Sequence, residues 1–342
     1  MISKIIDESL VEGLKTLVED ASSVVIIGHM GPDGDAIGSC LATMHFLRKV
    51  GKESVHVMVP NAFPDFLAWM PGADEILVYE DKTDLCNEYL RTADLVMCLD
   101  FNSLKRIGAM ENAVRANSGK KALIDHHLYP EDFADLVISY PLMAASCELV
   151  FRLICRMGYA ALIDLPIAEC IYTGLMTDTG NFSYNSNNAE LYVIISEVMR
   201  LGVDKDRIYR NVFNNYSYHR MRLMGYCLYK KMQIFPQYHT ALITLSEAEL
   251  EQFHYHPGDT EGIVNLPMSI SGIYFSCLMR EDGDKVKISL RSQGAFPTNQ
   301  VAADLFNGGG HLNAAGGESR DGLEAATRLF IERLPDYFER QG

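Results

Sequence analysis

The sequence predicts an α/β fold: a mostly parallel, doubly wound sheet, joined through a helical connector to a smaller α/β C-terminal domain. Three observations predict it. Short apolar, β-branched runs alternate with helical stretches through the first half of the chain, as parallel strands do when helices cover both faces of their sheet. The stretch from about Asn188 to Phe235 reads as helix throughout. Beyond it come new strand-like runs, a Gly-rich segment and a closing helix. The expected divisions are therefore 1–187, 188–235 and 236–342.

The elements follow in order. SVVIIGH (Ser23–His29) is a compact β-branched run, and AIGSCLATMHFLRKVG (Ala36–Gly51) has helical periodicity with a glycine stop. SVHVMVP (Ser54–Pro60), EILVYE (Glu75–Glu80), DLVMCLD (Asp94–Asp100) and KALIDHH (Lys121–His127) read as further strands. An apolar helix spans Ile167–Met176, with Asp178 expected in the Gly/Thr-rich loop after it. The connector holds three helices, NAELYVIISEVMRLG, KDRIYRNVFNNYS and HRMRLMGYCLYKKMQIF. HTALITL (His239–Leu245), GIYFSCLMR (Gly272–Arg280) and KVKISLR (Lys285–Arg291) are strands, the last two joined through the hairpin signal REDGDK. NGGGHLNAAGG and a helix near Gly322–Arg340 close the chain.

Composition narrows the function. The 342 residues are 48% hydrophobic and 22% charged, as in a globular protein. No apolar run reaches the roughly 18–20 residues of a membrane span, and MISKIIDESLVEGLKTLVED lacks the apolar core of a signal peptide. A cytoplasmic protein without a membrane partner is expected. Seven of the eight cysteines sit mainly in apolar contexts, Cys86 in a more polar one, and none forms a CxxC pair. That pattern reads as reduced, mostly buried thiols and argues against a zinc–cysteine site. The net charge is −15 and no basic stripe stands out. Long DNA is thereby disfavoured, since gripping it requires cations that displace its counterions. A nucleic-acid substrate should be short or held locally.

The chemistry concentrates at strand ends. IIGHMGPDGDAIGS places His29, Asp33 and Asp35 after the first strand, and VMCLDFN ends a strand at Asp100. LIDHH ends another with Asp125, His126 and His127, and GLMTDTGNFSY adds Asp178. Open α/β sheets bind ligands outside the carboxyl ends of their strands, near a switch in strand order. Five aspartates and three histidines would meet there. Two like charges about 4 Å apart repel by about 4 kcal/mol at an effective dielectric of 20. Either the cluster is dispersed or metal ions neutralise it, and mixed Asp/His ligands suit Mn²⁺ or Mg²⁺. Singly, each residue has an ordinary explanation. A strand-end Asp forms turns or caps a helix, as Asp35 would before Ala36. His29 would be a satisfied structural histidine, and one of His126 and His127 would face the core. Four such acid-bearing ends in one chain favour a common pocket.

HMGPDGDAIGS, the LD at Asp100, DHH at 125–127 and TDTGNF at 177–182 resemble the four motifs of the DHH phosphoesterase superfamily. ISLRS (Ile288–Ser292) and GGGHLNAAGG (Gly308–Gly317) resemble its C-terminal DHHA1 domain. Length and layout are similar to the NrnA-type nanoRNase subgroup, bifunctional oligoribonucleases and pAp phosphatases. The resemblance implies a site for two divalent ions, Mn²⁺ before Mg²⁺. His29 and Asp33 would hold one ion, Asp35, His126 and Asp178 the other, and Asp100 would bridge them. Asp125 would orient an imidazole, and His127 would face the phosphate or the attacking water. Arg291, Gly308, Gly309, Gly310 and His311 would bind substrate, the arginine bidentately and the glycines through backbone N–H groups. Two metals about 3.5–4 Å apart stabilise attacking and leaving oxygens in an in-line displacement.

The implied activity is hydrolysis of short oligoribonucleotides from the 5′ end, or of the 3′-phosphate of 3′-phosphoadenosine 5′-phosphate. Polyphosphate or pyrophosphate hydrolysis on the same site is the alternative, followed by a cyclic or linear dinucleotide phosphodiesterase. A metal-binding regulatory module without turnover is disfavoured, because no expected acid or imidazole is missing. Phe182 and Tyr184 read equally as base partners or packing residues, and Asn181 and Ser183 stand where many family members carry a basic residue. The resemblance alone suggests a homodimer.

Overall fold

The computed structural model describes residues 3–339, and the outermost residues of the expected domains, together with Arg340 of the expected terminal helix, lie outside the described residues. The chain forms two compact units, Met1–Asn215 and Tyr216–Gly342. The first contains α1 (Glu8–Asp20), β1 (Ser23–Ile27), α2 (Gly34–Lys49), β2 (Ser54–Val59), β3 (Leu77–Val78), α3 (Thr83–Thr92) and β4 (Leu95–Leu99). It continues through α4 (Glu111–Ala116), β5 (Lys120–Asp125), β6 (Leu136–Ser139), α5 (Ser146–Arg156), α6 (Leu165–Asp178), α7 (Ala189–Arg200) and α8 (Lys205–Phe213).

Its six strands lie in the order β3-β2-β1-β4-β5-β6, and every neighbouring pair is parallel. All five residues of β4 are buried, which explains why LVMCL reads as a continuous apolar run rather than an alternating one. Two cores lie on the two faces. One contains Val24, Ile26, Ile37 and Leu41, the other Val25, Ile27, Val96 and Cys98. Successive residues of one strand thus serve opposite layers, as the two-residue strand period requires. Strand order reverses between β1 and β4. The chain moves from β1 outward to β3, then returns to the other side of β1, so the loops after β1 and β4 diverge and leave room for a ligand.

The second unit holds α9 (Tyr218–Tyr226), β7 (Gln233–Phe235), β8 (Thr240–Leu245), α10 (Glu247–Gln252), β9 (Phe275–Asp282) and β10 (Lys285–Ser292). It ends with α11 (Thr298–Phe306), β11 (Gly309–Gly310), β12 (Ala314–Ser319) and α12 (Leu323–Glu339). Its sheet runs β11-β12-β10-β9-β8-β7 and is antiparallel apart from the β8–β9 pair.

Several boundaries differ from expectation. The stretch 188–235 is shared between the units. Leu191, Ile194, Val198, Ile208 and Val212 of α7 and α8 enter the first core, whereas Leu223 and Cys227 join a core with Ile243 and Leu245. Nor is that stretch helical throughout, because it ends in β7, which pairs with β8. The expected strand Glu75–Glu80 shrinks to Leu77–Val78 at the sheet edge, where only Met58 and Val59 pair with it. All eight cysteines are free, and Cys86 is buried like most of the others. No helix among the described residues is long and apolar enough to cross a membrane.

Candidate metal centre

The site forms where strand order reverses. Asp100 follows the last residue of β4 and takes a left-handed φ of 65°. That region costs a residue with a Cβ about 1–2 kcal/mol, and aspartate is among the few that visit it. Its N–H still donates to Ile124 O at 3.1 Å, so the turn begins while pairing with β5 continues. The carboxylate lies between two imidazoles. Oδ2 is 3.4 Å from His29 Nε2, and Oδ1 is 3.4 Å from His126 Nε2. Ser146 Oγ donates to Oδ1 at 3.0 Å.

Both rings are oriented from behind. Nδ1 of His29 lies 3.0 Å from Met30 O, and Nδ1 of His126 lies 3.1 Å from Met143 O. A carbonyl oxygen only accepts, so Nδ1 carries the hydrogen and the neutral ring turns its Nε2 lone pair toward the acids. This is the tautomer in which a histidine ligates through Nε2 while its other nitrogen is anchored.

Asp33, rather than Asp35, caps α2. Its Oδ1 accepts from Asp35 N and Ala36 N at 3.0 and 3.1 Å. Asp35 lies inside the first turn, fully buried. There its carboxylate accepts from Ser146 N at 2.6 Å and Cys147 N at 2.9 Å, the first N–H groups of α5. Two helix N-termini thus converge on one buried acid. Asp178 ends α6 rather than sitting in a loop, because the helix runs past Met176; its Oδ2 is 3.4 Å from His126 Nε2. The helices that deliver Asp35 and Asp178 pack closely through glycines. A Cβ at Gly38 would meet Cys170 O at 2.6 Å, and one at Gly174 would meet Cys147 Sγ at 2.2 Å and Asp35 Oδ1 at 2.8 Å.

Three triads share Asp100, each with ligand atoms within 4.8 Å of one another, and two of them are His29–Asp33–Asp100 and Asp35–Asp100–His126. A third comprises Asp100, Asp125 and His127. Burial pushes the Asp35 carboxyl well above its usual range, and Asp100 and Asp178 add to the effect. Burial also disfavours the Asp100 anion, but His126 and His29 outweigh it and hold Asp100 well below the usual range. Burial draws His126 down, yet Asp178 and Asp100 leave it well above 6.5, and His29 is raised likewise against its own burial, chiefly by Asp100. Buried acids that raise one another and lean on two imidazoles make a pocket short of positive charge.

The donors fit divalent ions. Neighbouring donors about 2.1 Å from an octahedral ion stand about 3 Å apart, close to the 3.4–3.9 Å separations of the imidazole nitrogens from the carboxylates. Oxygen-rich sets with imidazole favour Mn²⁺ or Mg²⁺ over softer metals. Asp125 Oδ2 is buried without a hydrogen-bond partner, an unmet demand that a nearby cation would answer.

Residues 23–175 match the DHH family, N-terminal domain, and residues 237–340 match the DHHA1 domain. The bifunctional oligoribonuclease and PAP phosphatase NrnA of Thermus thermophilus is 30% identical over 93% of this chain and 91% of its own length. The chain belongs to the DHH family. Its relatives place it among hydrolases of phosphoester bonds. An exopolyphosphatase-related protein from Bacteroides fragilis has 52% identity and a TM-score of 0.94, covering 98% of each chain. RecJ from Thermus thermophilus, solved with Mn²⁺, shares the fold at a TM-score of 0.57 and 15% identity, covering 98% of this chain and 55% of its own.

Arg106 is the functional candidate that the sequence reading missed. The Nδ1 of the DHH-motif residue His127 donates to Asp125 Oδ1 at 2.7 Å, and Arg106 Nη1 donates to its Nε2 at 2.9 Å. Guanidinium has no acceptor, so both ring nitrogens are assigned: Nδ1 bears the hydrogen and Nε2 the lone pair. Arg106 arrives on a 3₁₀ turn after Asp100, whose backbone is tied to the His29 loop by Met30 N donating to Arg106 O at 2.7 Å. Only its short distance from the LD motif marked it. Ser146 and Cys147 also escaped notice, because they act largely through backbone N–H groups.

In the DHHA1 domain, Arg291 lies on β10 opposite Ala314, and its Nη1 donates to Leu290 O at 2.9 Å. The glycines divide by role. Gly308 N donates to Ala302 O, and a Cβ there would lie 1.9 Å from Gly316 O. Gly310 has φ 141° and would clash with Ala314 O at 2.5 Å. Both are glycine because β12 passes so near. Gly309 faces open space and remains the glycine at which a ligand can approach. His311 N donates to Ala314 O at 2.7 Å. Phe182 packs in the first unit, tilted against Tyr172 and Tyr192 at 5.9 and 6.4 Å, whereas Tyr184 is exposed.

Proposed function

We propose that this DHH protein is a two-metal phosphoesterase of short nucleotides. It would remove the 5′ nucleotide from oligoribonucleotides of a few residues, or the 3′-phosphate from 3′-phosphoadenosine 5′-phosphate. The observation that carries the reading is the pair of triads sharing Asp100. Similarity to NrnA along nearly the whole chain supports the substrate class.

His29 and Asp33 would hold one ion, and Asp35, His126 and Asp178 the other, with Asp100 common to both. When bound, the ions supply Lewis acidity to the phosphoryl oxygens and orient the attacking water. Met30 O and Met143 O hold the two ligating rings in one tautomer. The first N–H groups of α5 fix the Asp35 carboxylate. Asp125 fixes the His127 ring through Nδ1, leaving the Nε2 lone pair able to accept a proton. Arg106, already on that nitrogen, is a guanidinium that can pass to a phosphate oxygen. In the DHHA1 domain, Arg291, Gly309 and His311 are the substrate contacts we favour.

Initial hydrolysis rates with Mn²⁺ test this on a 5′-phosphorylated diribonucleotide, 3′-phosphoadenosine 5′-phosphate and tripolyphosphate at matched concentrations. Faster turnover of the nucleotides is expected. Faster turnover of tripolyphosphate would keep the metal assignment and overturn the nucleotide reading, in line with the exopolyphosphatase-related neighbour.

A further inference from the structure

From Arg207 to Ser246 the chain carries six basic residues and no acidic one, within a protein of net charge −15. Its charges are widely spaced along the sequence. In the second unit it forms α9 and the helical turn that follows, Cys227–Lys231. Leu223 and Cys227 point into the core there, and the opposite face is laid bare. Tyr218, Met221, Arg222, Gly225 and Tyr229 are all exposed. Their spacing of three, four, seven and eleven residues puts them in one stripe, about 16 Å long at 1.5 Å per residue.

The stripe is built from aromatic–cation pairs. Arg222 lies 5.6 Å from the Tyr218 ring, and Lys230 lies 4.7 Å from the Tyr229 ring. Among the described residues neither cation forms an ion pair with a carboxylate. Glu249, an acid that the fold brings to this segment, is already engaged by Lys231 and the Tyr226 hydroxyl. Tyr218 is 71% exposed, Met221 53% and Tyr229 82%. Flat rings beside unpaired cations suit a polyanion with stacking faces, where bases lie on aromatics and phosphates meet the charges. An anionic membrane would instead favour aliphatic and aromatic side chains that insert below a basic rim.

We propose that this stripe is a docking surface for single-stranded RNA. The proposal rests on the oligoribonuclease reading for its biological use, but the binding surface is tested separately. Anisotropy of a labelled oligoribonucleotide of about 12 nucleotides, within the usual range of site sizes, is measured on the full chain in chelator. The wild type is compared with Tyr218→Ala/Tyr229→Ala and Arg222→Glu/Lys230→Glu. Each lost tyrosine should weaken binding roughly tenfold. The charge variant should lower the slope of log affinity against log salt by about 1.4 for two phosphate contacts. Hydrolysis of a diribonucleotide should be unchanged in both.

Equal RNA affinity in the wild type and both variants overturns the proposal. So does wild-type binding to vesicles of anionic and zwitterionic phosphatidyl lipids without RNA binding. A stripe that serves only self-association would show as loss of dimer by sedimentation with RNA affinity intact, which also overturns it. If no oligoribonucleotide is hydrolysed but the variants still lose RNA, the function proposed above fails and the docking surface stands.

Discussion

Arg106 Nη1 lies 2.9 Å from Nε2 of His127, whose other nitrogen is 2.7 Å from Asp125. The imidazole is held at both ends, so its orientation depends on an arginine outside the DHH motif. Replacing Arg106 with Ala should lower kcat about 100-fold, the scale for one lost donor at a developing charge, with a smaller change in KM. Lysine should recover part of the loss, since it restores the charge but not the planar fork. Steady-state kinetics on the best nucleotide substrate checks this; unchanged kcat in the alanine variant would remove Arg106 from the reaction.

Asp100 belongs to the triad with His29 and Asp33 and to the triad with Asp35 and His126. Asp100→Ala should reduce Mn²⁺ stoichiometry, read by isothermal titration calorimetry, from two ions to one at most. Turnover should fall by more than about 100-fold, since even residues behind a metal ligand cost 10–100-fold. Two ions bound at native affinity would refute the shared-ligand arrangement.

Gly174→Ala should destabilise the protein by about 1–3 kcal/mol, the usual cost of overpacking, because its Cβ would fall 2.2 Å from Cys147 Sγ. Trimming the obstacle in the Gly174→Ala/Cys147→Ala double variant should return part of the loss. Urea melts of the four members of the cycle measure the coupling. Additive effects would show that the contact is not the cause.

Gly308 and Gly309 should respond differently to alanine. Gly308→Ala meets Gly316 O at 1.9 Å, whereas Gly309→Ala meets nothing within 4 Å. The first should lower the melting temperature. The second should leave it in place and raise KM for a nucleotide that approaches the backbone there. A Gly309→Ala enzyme with native KM would exclude that approach.

Glu249 gives an acid-side test of the second unit. Burial pushes its carboxyl up, but Lys231, the Ser246 N–H and Tyr226 outweigh it and bring the value from 4.5 to about 2. A depressed carboxylate adds stability above its unfolded value and loses it as pH falls toward the folded one. The melting-temperature gap between wild type and Glu249→Gln should therefore be full above about pH 5 and close toward pH 2. A gap that stays constant over that window would mean that ionisation of Glu249 is not what stabilises the capping box.

Much of this was legible in the sequence because parallel strands buried on both faces are written as unbroken apolar runs, and a strand end is where an acid stands out. Asp100 and Asp125 announced themselves that way. Local detail was less legible. Asp33 and Asp35 are the same residue type two positions apart, either of which could start a helix by sequence, and only backbone geometry assigns the cap to Asp33. Asp178 looked like a loop residue because Thr177 and Gly180 flank it, yet α6 carries on to it. Arg106 resembles any surface arginine until the turn after β4 brings it to His127. Gly308 and Gly310 suggested a ligand loop, but their need for glycine comes from β12, a strand whose Ala-Gly-rich sequence carries little β signal of its own.

The shared position of Asp100 also bears on how the protein is made. His29 leaves the ribosome with the first strand, Asp100 with the fourth and Asp178 only at the end of α6, so the ligand set proposed for one ion is complete long before that for the other. Both proposed sets include Asp100 at the end of β4, so either ion needs β1 and β4 side by side, a pairing between distant parts of the chain that is intrinsically slow. Metal supply should accordingly change how long the finished enzyme survives and leave the rate at which the nascent chain folds almost untouched.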